Sequence, residues 1–182
     1  MKQNFYLPAE WEEQSGVQLT WPHAGTDWAH MLKEVQSCFI EIAKEISKRE
    51  KLLIVAPDVE NVKKQICKKA NTDNIRFFEC ETNDTWARDH GGISILDKDG
   101  NIGIIDFKFN GWGLKFAANK DNLITRKIFQ SQLFNAQYIN CLNFVIEGGS
   151  IESDGKGTLL TTSECLLSPN RNGAWDRDQI EQ

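Results

Sequence analysis

The 182 residues are 40% hydrophobic and 26% charged, the balance of a soluble globular chain with enough apolar material for a sizeable core. Net charge is −5 with lysine and arginine scattered, so composition excludes the basic footprint of a nucleic-acid or anionic-membrane partner. No apolar run approaches the ~20 residues that cross a bilayer, and residues 1–16 lack the apolar segment of a secretory leader, so a cytoplasmic location is expected.

GVQLTWP (16–22) reads as a strand stopped by Pro22. Residues 29–48 carry Met31, Val35, Phe39, Ile42, Ala43 and Ile46 at helical spacing. KLLIVAP (51–57) reads as a buried strand, and Asp58 is placed to cap a second helix running to about Ala70. A short strand, IRFFEC (75–80), leads into NDTWARDHGG (83–92). GISILD (92–97) and IGIIDFKF (102–109) flank KDGN, whose residues hairpin turns prefer. A third helix is predicted from about Asn122 to Gln132. QYINCL (137–142), FVIEGGSIES (144–153) and GTLLTTSECLL (157–167) read as strands, with DGKG (154–157) as a tight turn. SPNRNG then breaks the chain and AWDRDQIEQ starts a polar helix. This alternation predicts an α/β class with mixed sheets and ββαβ-like units, without a convincing residue-level repeat. No linker rich in Gly, Ser or Pro divides residues 1–182, so one domain is expected.

The five cysteines (Cys38, Cys67, Cys80, Cys141, Cys165) are odd in number and lack a C-x-x-C pair, so free thiols are expected and a metal site is not. Six tryptophans are a large share for this length, and some are expected to line a site. The sharpest cluster is Trp86, Arg88, Asp89 and His90, closed by Gly91 and Gly92. A carboxylate beside an indole suits a planar guanidinium, which donates two parallel N–H bonds while the ring face attracts its charge. Two glycines would let backbone approach a ligand closely. The alternative is that Arg88 and Asp89 pair with neighbours at a strand end while Trp86 fills core.

FVIEGGSIES repeats the design: Glu147 ends an apolar run before Gly148 and Gly149. A carboxylate at the inner end of a buried strand needs a partner, either Arg88 or a bound cation. DFKFNGWGLKF (106–116) sets Trp112 between glycines, as an aromatic wall or a packed loop tip. TWPHAGTDW (20–28) offers Trp21, His23 and Trp28 in a loop. A nucleophilic set of Cys165, His90 and Asp89 is conceivable, but the apolar flank of Cys165 suggests a buried, inert thiol. No Gly-rich phosphate loop, G-x-S-x-G or metal-ligand spacing is present.

LPAEWEEQSGVQLTWPH, NDTWARDHGG, DFKFNGWG and EGGSIESDGKGTLLTTSECLLSPNRN together resemble the agmatine deiminase and bacterial-type peptidylarginine deiminase family, in the family's order from about Leu7 to Gly173. The resemblance implies a pentein fold, in which ββαβ-like units form a pseudo-fivefold ring around a central channel. It implies hydrolysis of a guanidine to a ureido group with release of ammonia and no metal or organic cofactor. Agmatine deiminases make N-carbamoylputrescine on a route to putrescine, whereas peptidylarginine members make citrulline. Carried over by position, Asp89 matches the guanidinium-binding carboxylate and Trp86 the aromatic beside it. Glu147 and Gly148 match the family's E-G-G segment at the site, and Trp112 and Trp21 match aromatics near the channel mouth.

The departures from the family pattern are specific. Its G-H-x-D segment, with the acid/base histidine, and its G-G-G-N-x-H-C segment, with the nucleophilic cysteine, do not occur here. The chain therefore resembles the first half of a family member, a partial pentein domain expected to be inactive alone. Half a ring invites association with a second copy or a complementing chain. A non-catalytic guanidine- or polyamine-binding module is the other reading. Glu152 stands where many agmatine enzymes carry histidine, which leaves agmatine and peptidyl-arginine both open as substrates.

Overall fold

The computed structural model of the chain describes residues 5–181. It opens with strand β1 (Phe5–Tyr6). Residues Glu13–Ala87 then form one compact unit. Here β2 (Gly16–Thr20), β3 (Lys51–Ala56) and β4 (Ile75–Glu79) lie parallel, with β3 in the middle. Helices α1 (Leu32–Ser47) and α2 (Val59–Ile66) make the two crossovers. Every residue of β3 after Lys51 is buried, which is why the strand reads as an unbroken apolar run rather than an alternating one. Asp58 caps α2 as its sequence position predicts, accepting the Asn61 N–H at 2.9 Å.

Two helix expectations are corrected in detail. A 3-10 turn (Asp27–Met31) precedes α1, and Met31 is exposed. The stripe that α1 buries is Ile40, Ala43 and Ser47, with Phe39 and Ile46 packed beside it. Ile42 lies about 200° around the axis from Ile40 and is exposed. Helix α2 stops at Ile66 rather than near Ala70, because the amides of Lys69 and Ala70 both turn back to the Ile66 carbonyl.

The second unit joins the described part of Met1–Glu12 to that of Arg88–Gln182. After the single turn α3 (Ala87–His90), β5 (Ile93–Asp97) and β6 (Ile102–Lys108) form an antiparallel hairpin. Its KDGN turn is held by the Asp97 carboxylate, which accepts the backbone N–H groups of Asp99 and Asn101. The turn α4 (Gly111–Leu114) and helix α5 (Ile124–Gln130) follow, and β7 (Gln137–Val145) returns parallel to β6. The segment β5–β6–α5–β7 is thus a ββαβ unit, with β1 added antiparallel on its outer edge.

Beyond β7 the strand expectations are only partly met. FVIEGGSIES is interrupted by a 3-10 turn at Gly148–Ser150, so β8 (Ile151–Ser153) is separate and pairs with β9 (Leu159–Thr161). The remainder of GTLLTTSECLL turns helical. Thr162 is an N-cap whose hydroxyl accepts the Cys165 N–H at 3.3 Å, starting α6 (Ser163–Leu166). SPNRNG is ordered too: Pro169 sits in the first turn of α7 (Pro169–Asn172), where its missing N–H costs nothing. A capping box at Asp176 and Gln179 opens α8 (Arg177–Ile180). All five cysteines are free, and no helix among the described residues is long and apolar enough to cross a membrane.

Candidate functional site

Asp89 sits on α3, half-buried, and each of its oxygens has a fixed donor. The Trp112 indole N–H donates to Oδ2 at 3.0 Å and the Gly149 backbone N–H donates to Oδ1 at 3.1 Å. Three sequence-predicted segments, ARDH, NGWG and EGG, therefore meet at one carboxylate. The EGG segment is shaped for that meeting. A Cβ on Gly148 would lie 2.2 Å from the Arg88 carbonyl oxygen, and one on Gly149 would lie 2.3 Å from Asp89 Oδ1. Only glycine permits this approach. Gly92, expected to open backbone to a ligand, instead packs on Ile104 and Thr125, since a Cβ there would lie 2.5 Å and 2.8 Å from their methyl carbons.

Trp112 reaches Asp89 from a left-handed backbone, φ 57° and ψ 46°, a conformation that bulky residues adopt only under external constraint. The constraint is visible. Its ring is held edge-on between Phe109 (5.0 Å) and Phe116 (5.7 Å). The Asn110 side chain accepts the Gly113 N–H at 3.0 Å and donates to the Asn170 carbonyl at 2.8 Å. Trp112 is thus a braced, half-buried wall.

Glu147 is 3% exposed and its carboxylate is bound by Arg171, with Nε at 2.8 Å from Oε1 and 3.2 Å from Oε2. Arg88, one of the partners expected from sequence, does not fill this role. Arg88 pairs instead with Glu10 and, at 3.9 Å, with Glu152 at the surface. Next to Arg171, buried Asn172 spans the β7 end. It accepts the Val145 N–H at 2.8 Å and donates to the carbonyls of Val145 and Leu166. Asn170, Arg171 and Asn172 were read from sequence only as a chain break. Apart from Leu166, their partners lie 24 to 60 residues away, and the one local signal is the Ser-Pro helix start.

His90 is buried, 6.0 Å from the Phe109 ring, and burial pushes its pKa down to about 4. Cys165 lies half-buried on α6 rather than on a strand, and Asp89 is engaged by Trp112 and Gly149. Of the conceivable Cys165–His90–Asp89 set, Cys165 therefore stands on a helix and Asp89 already accepts from two donors.

In the Glu13–Ala87 unit, Trp86 is 43% exposed and its ring faces Trp28 at 5.9 Å with a 39° tilt. Trp21, in contrast, is 2% exposed and packs edge-on to Phe39 at 5.7 Å within the core on the parallel sheet. His23 shares a 2.9 Å hydrogen bond with the Thr82 hydroxyl.

A profile of the Porphyromonas-type peptidyl-arginine deiminase family matches residues 6–182. The chain belongs to this family. A solved structure from Porphyromonas gingivalis superposes with a TM-score of 0.86 at 49% identity, over 98% of this chain and 52% of that one. A substrate-bound agmatine deiminase of C. jejuni gives 0.87 at 37% identity, over 97% and 51%. The agmatine deiminase of Pseudomonas aeruginosa is 36% identical over 98% of this chain and 49% of its own length. The chain spans about half the length of the curated relatives it matches. These matches identify the mixed, unclosed sheets as part of the pentein α/β fold, and they match the family's N-terminal half.

Proposed function

We propose that these residues form the guanidinium-recognition half of an agmatine deiminase-like hydrolase, which converts a guanidine and water to a ureido product and ammonia. The observation that carries this reading is the Asp89 carboxylate, fixed by one neutral donor on each oxygen. A carboxylate has about four acceptor positions, so two fixed bonds orient it and leave capacity for two parallel N–H donors. Such a group need not reorganise when a flat cation arrives. The Trp112 indole N–H and the Gly149 backbone N–H hold the carboxylate in place. Glu147, neutralised by Arg171, anchors the E-G-G turn behind Asp89.

Guanidinium carbon is barely electrophilic. Breaking its C–N bond requires a sulfur nucleophile and an acid for the departing ammonia, and neither Asp89 nor Glu147 is one. The 182 residues alone should therefore bind without turnover. Agmatine is the favoured substrate, because relatives at 35–36% identity carry that activity in their names. Calorimetric titration with agmatine tests the reading. Binding by the native chain and its loss in Asp89→Asn are expected. Ammonia release by the chain alone, or unchanged affinity in Asp89→Asn, would overturn it.

A further inference from the structure

Gly111, Trp112, Gly113 and Leu114 all have positive φ, at 68°, 57°, 81° and 65°. Four such residues in a row make one turn of left-handed helix, closed by its own bonds. The Leu114 N–H donates to the Asn110 carbonyl and the Lys115 N–H to the Gly111 carbonyl, each at 3.0 Å. Glycine enters this region at little cost, but tryptophan and leucine do not. Leu114 is 72% exposed, so burial of its side chain does not hold the turn. What holds it, besides the Phe109 and Phe116 rings around Trp112, is Asn110.

Asn110 is 9% exposed and uses both ends of its amide. Its Oδ1 accepts the Gly113 N–H inside the turn at 3.0 Å, and its Nδ2 donates to the Asn170 carbonyl on α7 at 2.8 Å. One end meets a donor and the other an acceptor, so reversing the amide would lose both bonds. The turn also lies close on α7: a Cβ on Gly113 would come within 3.2 Å of Arg171 Nη1 and 3.5 Å of Asn170 Cβ. Arg171, the next residue of α7, binds Glu147, which opens the E-G-G segment whose Gly149 N–H meets Asp89. The two donors on the Asp89 oxygens therefore trace back to adjacent residues of one short helix, all within the unit that contains Arg88–Gln182.

We propose that Asn110 is a positioning residue for guanidinium binding, tying the left-handed turn to α7 and so delivering the Trp112 N–H to Asp89 Oδ2. This inference rests on the reading of Asp89 as the guanidinium-binding carboxylate, and adds the device that sets its orientation. Without the tie, Trp112 and Leu114 relax toward negative φ and the indole N–H leaves the carboxylate. Asp89, held on one oxygen alone, must then be oriented by the arriving cation, which lowers affinity.

The test uses the 182-residue chain and two readouts. Calorimetry gives agmatine affinity. A proton–nitrogen correlation spectrum, which needs no ligand, gives solvent exchange of the Trp112 indole N–H, assigned by its disappearance in Trp112→Phe. Asn110→Ala removes both side-chain bonds, whereas Asn110→Asp keeps the acceptor for Gly113 and loses the donor to Asn170. Both variants are expected to speed exchange of Trp112 alone among the six indoles, and to weaken agmatine binding about tenfold. In a Trp112→Phe background, with no indole N–H to deliver, Asn110→Ala should cost no further affinity. A second loss of that size there would overturn the proposal. So would native exchange in either Asn110 variant, or faster exchange of all six indoles, which would make Asn110 a residue of the fold at large. If Trp112 exchange quickens but affinity stays native while Asp89→Asn does not bind, the positioning role is wrong and the guanidinium grip survives. If the native chain does not bind agmatine, or Asp89→Asn binds as well as it does, the grip itself falls and the positioning role with it.

Discussion

Removing the Arg171 guanidinium should expose how far the E-G-G turn depends on one buried ion pair. The Glu147 and Arg171 side chains are 3% and 12% exposed, and a single Nε spans both carboxylate oxygens at 2.8 and 3.2 Å. Arg171→Met keeps most of the apolar stem and strands the carboxylate. Breaking a buried pair from one side costs about 3–5 kcal/mol, against a total stability of roughly 5–15 kcal/mol for a domain. For a chain of this size the melting point should fall on the order of 10 °C. Glu147→Gln/Arg171→Met removes the stranded charge and should recover at least half of the loss, a coupling that neither single variant shows. Urea unfolding followed by circular dichroism at 222 nm gives the three values. A single variant within about 0.5 kcal/mol of native would mean that the pair behaves as an exposed one, and the reasoning would fail.

The paired glycines should separate stability from binding. Gly148→Ala drives a methyl into the Arg88 carbonyl, which is backbone and cannot yield, and should cost about 1–3 kcal/mol in a thermal melt. Gly149→Ala meets only the Asp89 carboxylate oxygen, which can swing away. It should melt near native yet lose agmatine affinity in calorimetry, and native affinity there would deny that Gly149 orients Asp89. His90 predicts an acid dependence. Its folded pKa of about 4 lies below the unfolded value, so the unfolded chain binds the extra proton first. Stability should hold above pH ~6.5 and fall by about 3 kcal/mol as pH drops to ~4. His90→Leu should flatten that stretch of the stability profile.

Much of the architecture could be read locally because its causes are local. The apolar run of β3, the Asp58 cap and the KDGN turn each state their structure within a few residues. Helix phase and the short terminal turns were harder. A single 3-10 turn shifts the buried face of α1. In TTSECLL, β-branched residues favour a strand, yet the Thr162 cap takes the chain into a helix. The site divides the same way. Asp89, Trp112 and Gly149 were each visible as unusual residues in unusual settings. Which of them touch was not visible, and neither was the Glu147–Arg171 partnership, because hydrogen bonds across 23, 60 and 24 residues leave no spacing to count.

Strand β1 pairs with β5, at Phe5 with Asp97 and Tyr6 with Leu96. The whole Glu13–Ala87 unit is threaded between those two partners. A ribosome releases that unit as one continuous stretch, so its sheet can assemble as soon as β4 emerges. The first strand must wait, since β5, its sheet neighbour among the described residues, is made some 90 residues later, and closing so long a loop carries an entropic cost that the β5 pairing repays. Folding of this chain should therefore proceed from the inserted piece outward, with the N-terminal strand docking last.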